Sequence, residues 1–572
     1  AFLAWAEDQL AIKSPGFIPG EAQNEGDAGI RFIHAPVGGE SPYQSGNNER
    51  YPRLVTVAQK VVIRTFSAPF RPEDDIVLEV VAGASAPTFL NMQAVENETG
   101  EQYWEAELAP FAEVERVRYR FVRNPGGAGE ASEWYPFEVL RWANLSRAAG
   151  IAGTESGGAA VRFEPLTESG PAPCLEARNH PSGAVSFRLE LIDGDNLAAQ
   201  EWKAEGSCRV GSAEVSVNGG RFAVKAFDEQ GNLVSTSFDQ DEAAPFQALI
   251  DRTGTVYKLR LNFALKDGER LYGMGERFAR MEFRGCELDN YVFNQYKDQG
   301  FRTYIPVPVV YSSAGYGLYL QSSLYSVFRF GTVREDLMQI EADAGRERQT
   351  VDYWLFAGKP LELVGTFAEL TGKPKLPPKW AFGPWMSSNN WDSEREVDEQ
   401  LARTAEHAIP STVMVLEQWS DESSFYIFND AGYETKSGSE RFAYDDFSFP
   451  AWGRWPDPRK LVERIHGQGI RVLLWQAPVM KFMDGIAHVQ RDEDERYMVE
   501  QAYEVRHADG SPYRIPDYEW FRGSLVPDFT NPDAAAWWLG KRQYLLEDIG
   551  IDGFKTDGGE CIYGSDLQFP DG

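Results

Sequence analysis

In the first 370 positions, short runs of apolar and β-favouring residues recur between turn signals, and hardly any helical period appears. Between residues 54 and 140 the runs Val61–Phe66, Ile76–Val81, Tyr103–Leu108 and Val117–Val122 are each bounded by turn-forming residues. Short runs bounded in this way read as strands, so this stretch predicts a small β-sandwich. Residues 1–50 are rich in Gly, Pro, Asn and Glu and read as irregular structure. Ala148–Ala160, AAGIAGTESGGAA, is small and Gly-rich and reads as a linker or long loop. Strands then resume in Val185–Leu191, Tyr257–Phe263 and Gly315–Leu320, with hardly a helical period up to about residue 368. A large antiparallel sandwich is expected there.

The pattern changes after Lys373-Pro374-Lys375-Leu376-Pro377-Pro378-Lys379. Strand signals at Trp380–Ser388, Ser411–Trp419, Gly469–Pro478 and Ile551–Thr556 now alternate with helix signals at Ser393–His407, Asp457–Gln468 and Asn531–Leu546. Such alternation predicts parallel βα units, most simply a (β/α)8 TIM barrel. The expected organisation is multidomain: 1–147, an N-terminal segment and small sandwich that could bind carbohydrate through Trp104 or Trp134; 160–372, a second sandwich; and 376–572, the first half of a barrel. Four βα units leave two open parallel edges, which such sheets do not tolerate. The rest of the barrel is expected from residues continuing the chain, or from a second polypeptide after cleavage near Gly572. No tandem repeat is evident beyond the βα alternation.

Length and charge narrow the function classes. At 572 residues one hydrophobic core is not enough. The formal net charge of −31 disfavours nucleic acid and anionic membrane surfaces, and leaves neutral ligands such as sugars open. Aromatic residues make up 13% of the chain, which fits either a large core or platforms for pyranose rings. Cys174, Cys208, Cys286 and Cys561 are scattered without metal-ligand or disulfide spacing, so neither a metal nor another cofactor is expected. No apolar run is long enough to span a membrane. Ala1-Phe2-Leu3-Ala4-Trp5 lacks the basic start of an intact signal peptide. A cytoplasmic location is favoured, with secretion after signal removal as the alternative.

Active sites of parallel barrels sit at the C-terminal ends of the strands. Those ends carry Asn389-Asn390, Glu417-Gln418-Trp419, Trp475-Gln476 and Lys555-Thr556-Asp557-Gly558-Gly559-Glu560. None of the six histidines falls there, which disfavours Ser/His and His-metal chemistry. Carboxylates beside indoles are what glycoside hydrolysis requires: one attacks the anomeric carbon, another protonates the leaving oxygen, and rings hold the sugar. Lys555 lies two residues before Asp557, so both side chains share one face. Its charge could favour ionised Asp557 or bind a hydroxyl, and a simple ion pair reads equally well. Trp475, at a strand end beside Asp557, reads as lining a sugar site or as core.

Gly550-Ile551-Asp552-Gly553-Phe554-Lys555-Thr556-Asp557-Gly558-Gly559-Glu560 resembles the nucleophile strand of glycoside hydrolase family 31, closest to its Lys-Thr-Asp branch. Leu271–Arg277 is similar to that family's Tyr-Gly-x-Gly-Glu segment, Leu376–Gly383 to its approach to the barrel, and Asp528–Pro532 to the segment before the nucleophile helix. The resemblance covers about residues 160–570. It implies a galactose-mutarotase-like sandwich, a (β/α)8 barrel, and double displacement with retention of the α configuration. It implies Asp557 as nucleophile, and Lys555, Trp475, Glu417, Gln418, Trp419, Asn390 and Glu560 as substrate-binding residues.

The departures from the family pattern concern specificity. Glu417 stands where many members have an Asp that binds distal hydroxyls, Gln418 and Trp419 replace residues that discriminate substrates, and Asn390 replaces an aromatic of a xyloside-specific branch. Gly558 replaces a Phe, and Asn294-Gln295-Tyr296 keeps only the Asn of an Asn-x-Asp loop. The family's acid/base Asp lies some tens of residues beyond the nucleophile; Asp566 and Asp571 are too close to fit. The expectation is an exo-acting retaining α-glycoside hydrolase, best matched to α-glucosides, its substrate an oligosaccharide or other α-glycoside. The Lys-Thr-Asp signature keeps α-xylosidase open, and the Glu417–Trp419 change keeps α-galactosidase and transglucosylase open. A non-catalytic carbohydrate-binding fragment is the competing class.

Overall fold

The computed structural model describes residues 30–569, except 38–41, 44, 125–129, 169–171, 192–200, 241–242, 295–298, 346–348, 518 and 565–566. The irregular reading of residues 1–29, the loop residues Gln295 and Tyr296, and Asp566 and Asp571 lie outside the described residues. The chain forms two compact units, divided between Pro374 and Lys375.

The first unit is built from β-sheets, and the short runs form strands as expected. Val61–Ala68 alternates buried and half-buried residues along its whole length. Tyr135–Leu145 is the element that reading by short runs could not foresee. Its first half pairs with Arg116–Arg123 and its second half with Phe246–Ile250, so strands of both expected sandwiches join one eleven-stranded sheet. Val61, Ile63, Leu78, Tyr119 and Phe121 fill one core over it, and a larger core around Phe187, Leu259, Phe328 and Tyr353 fills the other side of the fold.

The linker reading of Ala148–Ala160 is corrected. Ala148–Gly153 and Ala159–Phe163 pair as an antiparallel hairpin at the edge of an eight-stranded sheet. Small residues suit this place because the strands pack closely: a Cβ on Gly158 would lie 2.3 Å from the Ala177 carbonyl oxygen. The Leu271–Arg277 motif has a similar cause. Gly273 and Gly275 sit at φ +106° and +85°, and a Cβ on either would meet backbone oxygen at 2.3 or 2.0 Å. Trp104 is also corrected: it is 2% exposed, and its indole N–H donates to Ser67 Oγ at 3.0 Å, so it offers no platform. Trp134 is covered by the guanidinium groups of Arg118 and Arg120, each 4.6 Å from the ring.

In the second unit, strands β1 (Trp385–Ser388), β2 (Val413–Leu416), β3 (Arg471–Gln476) and β4 (Gly553–Thr556) form one parallel sheet in that order. Helices α1 (Glu394–Glu406), α2 (Pro458–Gly467), α3 (Val489–Glu500) and α4 (Pro532–Tyr544) lie between them in sequence. Three of these start on signals visible in the sequence. Ser393, Asp457 and Asn531 accept backbone N–H groups of the first turn, and Pro458 and Pro532 occupy the first helical position. The pleat sorts the strand residues into two layers. Met414, Leu416, Val472 and Leu474 join Val397, Leu401, Leu461 and Ile465 under the helices, while Val413, Val415 and Leu473 face the other way with Trp475.

Two expectations change here. The strand expected over Trp380–Ser388 begins with a 3-10 turn, Lys379–Phe382. Pro384 drives Gly383 to extended backbone, so the strand starts only after it. Helix α3 was not expected, because its buried stripe is polar: Gln490, Arg491 and Asp494 accompany Met498. Hydrophobic periodicity cannot register such a helix.

Candidate active site

β3 and β4 pair in register, with Trp475 opposite Lys555 and Gln476 opposite Thr556. The Asp557 N–H continues the ladder by donating to the Gln476 carbonyl at 2.8 Å. Trp475, Lys555 and Asp557 therefore project to one side at adjacent strand ends. The Trp475 indole N–H donates to Asp557 Oδ2 at 3.1 Å, and the Gly558 N–H donates to Oδ1 at 3.0 Å. Both carboxylate oxygens are thus held, and each keeps a lone pair for a further partner.

Glu417 follows β2 at the same level. Its Oε1 accepts from Lys555 Nζ at 2.9 Å and from Ser387 Oγ at 2.5 Å. With its amide nitrogen turned toward Glu417, Asn389 donates to the two carboxylate oxygens at 3.0 and 3.2 Å. Lys555 thus pairs with Glu417, the ion-pair reading of its charge. The result is two carboxylates at the ends of β2 and β4, on either side of β3, Glu417 bound to a cation and Asp557 bound to neutral donors.

Behind these residues stands an aromatic wall. Trp475 packs edge-on against Phe425 with ring centroids 5.5 Å apart, and at 6.3 Å from Trp520, which is 48% exposed. Phe521 lies against both Trp520 and Phe425. Gly558, standing where the family pattern has Phe, has φ +72° beside Trp520, Cys561 and Phe521. The space would take a small side chain, but the left-handed backbone disfavours a branched or bulky one. Burial pushes the Cys561 thiol up to about 12, with Glu560, Glu519 and Asp557 adding their negative charge.

The remaining candidates separate. Asn390 and Gln418 are exposed at the ends of β1 and β2, and the Gln418 carbonyl accepts from Asn429 Nδ2 at 3.2 Å. Glu560 is half-buried in the turn after Asp557. Trp419 is corrected: it is 0% exposed, packs on Phe428 at 4.7 Å, and donates its indole N–H to the Trp475 carbonyl at 2.8 Å. It supports the strand bearing Trp475 and presents no face to a sugar. Sequence reading passed over Ser387, Asn389, Phe425, Trp520 and Phe521. Asn389 stood in a strand-end run, next to the residue chosen. Phe425 and Phe521 occupy left-handed backbone, φ 56° and 61°, which no aromatic residue advertises in sequence.

Comparison with known proteins agrees with this geometry. Residues 374–570 match the glycosyl hydrolases family 31 TIM-barrel domain, and residues 178–328 the glycosyl hydrolase 31 N-terminal galactose mutarotase-like domain. Residues 33–104 match an Lmo2446-like N-terminal domain. An isomaltosyltransferase of Sporosarcina globispora is 34% identical over 556 residues, 94% of this chain and 50% of that protein. A 1,3-α-isomaltosidase of Kribbella flavida is 28% identical over 94% of this chain and 64% of its own length. The solved cycloalternan-forming enzyme from Listeria monocytogenes, in complex with a pentasaccharide substrate, has a TM-score of 0.81 at 31% identity, over 95% of this chain and 52% of that one. The chain therefore spans about half to two thirds of the length of these relatives. Its sandwich and its parallel strands both match in chain order, and the chain belongs to glycoside hydrolase family 31.

Proposed function

We propose that the intact protein is a retaining α-glycosidase or α-transglycosylase acting on α-glucosidic oligosaccharides, with Asp557 as its nucleophile. The observation that carries this reading is Asp557 itself: a strand-end carboxylate, oriented by the Trp475 indole and the Gly558 N–H, with a second carboxylate at the next strand end but one. In the first step an Asp557 oxygen attacks the anomeric carbon, the glycosidic C–O bond breaks, and the leaving oxygen takes a proton from an acid group. In the second step that group removes a proton from an incoming hydroxyl, which attacks the anomeric carbon and frees Asp557. Water as the incoming group gives hydrolysis; a sugar hydroxyl gives transfer.

Glu417, Lys555, Ser387 and Asn389 are read as the hydroxyl-binding set, and Trp475 and Trp520 as the walls of the sugar site. Their charge-assisted bonds suit several adjacent hydroxyls, because a carboxylate accepts and an ammonium donates. The second half of the barrel, including the acid/base, is inferred to come from protein outside these residues. The open four-stranded parallel sheet supports this. Its acid should face Asp557 at about 5–5.5 Å, the separation of retaining enzymes.

Transfer to a sugar acceptor is favoured as a second reading by the isomaltosyltransferase and cycloalternan-forming relatives. The test is to incubate the intact protein with aryl α-glucoside, α-xyloside, α-galactoside and α-isomaltoside, with and without a sugar acceptor. Products are read by mass and anomeric configuration. Inverted products, or no release from any donor, would overturn the assignment. Release that yields only free sugar at high acceptor concentration would overturn transfer alone.

A further inference from the structure

Arg542, on α4, is buried to 1% exposure and stacks over the Trp538 ring at 3.5 Å. Its guanidinium donates to three neutral oxygens: Gln476 Oε1 at 2.5 Å, the Trp538 carbonyl at 3.0 Å and the Ser424 carbonyl at 3.2 Å. Among the described residues it forms no salt bridge. Burial pulls its pKa down to about 9, and the charges of Asp494 and Asp421 act the other way. A buried cation without a hydrogen-bonded carboxylate is costly unless its hydrogen bonds offset the loss of water. An apolar side chain of the same size would pack beside Trp538 without that cost.

What the guanidinium holds is Gln476. Val472 and Leu474, on the same face of β3, lie in the apolar core under the helices. Gln476 is the polar residue that ends this row, and it too is buried, at 6% exposure. Its Oε1 is fixed by Arg542, which leaves its Nε2 pointing at Thr556 Oγ1, 3.0 Å away. Its backbone carbonyl takes the Asp557 N–H. One residue thus grips Thr556 by its side chain and Asp557 by its main chain. It does so on the outer face of the sheet, directly behind the side that carries Trp475 and Asp557.

We propose that Arg542 and Gln476 are positioning residues for the nucleophile: Arg542 locks the Gln476 amide, and Gln476 locks the Thr556-Asp557 end of β4, so that Asp557 meets the Trp475 indole. This rests on the reading of Asp557 as nucleophile. Neither residue touches substrate. A shift of about 1 Å at a reacting group can cost on the order of 10²-fold in rate, so a second layer of this kind has a measurable consequence.

The experiment compares Arg542→Met, Arg542→Lys and the paired apolar variant Arg542→Met/Gln476→Leu in the intact protein. Replacing both partners of a buried polar contact by apolar groups of similar shape tends to restore stability. If the residues only hold the fold, the paired variant should recover activity along with its thermal midpoint. If they position Asp557, the paired variant should recover the midpoint and remain about 10²-fold low in kcat, with KM within about threefold of the parent. Its crystal structure should show Asp557 off the Trp475 indole, and Arg542→Lys should keep part of the activity. A paired variant with parental kcat, or with Asp557 unmoved, overturns the proposal.

Thr556→Val covers the case in which the paired variant does not fold, because it removes the last link at an exposed position. A kcat about tenfold lower at an unchanged midpoint supports the proposal, and parental kcat overturns it. If the parent releases sugar from no donor, the functional reading falls by itself. The crystal position of Asp557 in the variants then decides the positioning claim alone: displaced upholds it, unmoved refutes it.

Discussion

The barrel unit contains a buried ion pair whose removal has a calculable, pH-dependent cost. Asp494 on α3 is 0% exposed and Lys541 on α4 is 2% exposed. Asp494 accepts from Lys541 Nζ at 2.9 Å, Gln490 Nε2 at 2.9 Å and the Tyr426 hydroxyl at 2.5 Å, and Lys541 also donates to the Glu440 carbonyl at 2.7 Å. Burial raises the Asp494 pKa even with Lys541 opposing the rise. In Lys541→Met the side chain keeps its length, so little cavity forms, but the opposing charge is gone. Leaving a buried charge unpaired costs about 3–5 kcal/mol. Protonating Asp494 instead sets a ceiling: from an unfolded value of about 3.9, one proton costs about 1.36 kcal/mol per pH unit, roughly 4.2 kcal/mol at pH 7 and roughly 1.5 at pH 5. The sign follows from the raised folded pKa. Such a group favours the folded state fully below its unfolded pKa and loses that contribution as the pH rises through the folded pKa. Urea unfolding of parent and variant, followed by tryptophan fluorescence at pH 5 and pH 7, should show a gap that widens with pH. Asp494→Asn/Lys541→Met should close most of it. A gap below about 1 kcal/mol at pH 7, or the same gap at both pH values, would refute the buried-pair account.

Four further outcomes are expected. Asp557→Ala in the intact protein should lower turnover of α-glycosides by about four orders of magnitude with the thermal midpoint preserved, and near-parental turnover would remove Asp557 from the mechanism. Trp419→Ala should cost about 3–5 kcal/mol of stability, because it empties a buried site; a weakened sugar affinity at parental stability would mean that its ring reaches the ligand after all. Gly558→Ala forces a left-handed alanine beside Asp557 at about 1–2 kcal/mol, and should lower kcat several-fold; unchanged kinetics would contradict the positive φ. Arg454 holds the Asp430 carboxyl below its ordinary range, first through its side chain and then through its N–H, so this contribution is present above the unfolded pKa and is lost as pH falls through the folded one. Asp430→Asn should therefore lower the thermal midpoint at pH 7, with the gap closing below about pH 3.9; Asn tolerates the φ of 65° at this position, so a gap that persists in acid would point to backbone strain instead.

The order of elements was legible in the sequence wherever periodicity and capping agreed. Val61–Ala68 announces a strand by its run of β-favouring residues, and Asn531-Pro532 announces α4 by an N-cap followed by a proline. The strand-end location of Glu417, Trp475 and Asp557 followed from the same local rules, because a parallel barrel brings one end of every strand together. Local rules failed where a partner from elsewhere in the chain supplies the stabilisation. Helix α3 turns polar residues inward, since Asp494 finds Lys541 and Tyr426 there, and no reading of α3 by itself reveals them. Ala148–Ala160 became a hairpin because neighbouring strands supply its hydrogen bonds and need its small side chains. Whether an indole is wall or core was likewise a tertiary outcome. Trp475, near the end of β3, and Trp419, just after β2, belong to adjacent strands of one sheet, yet the first lies beside Asp557 and the second under Phe428. Sequence carries chemistry and period along the chain; the approach of segments distant in sequence decides which faces remain open and which charges find partners.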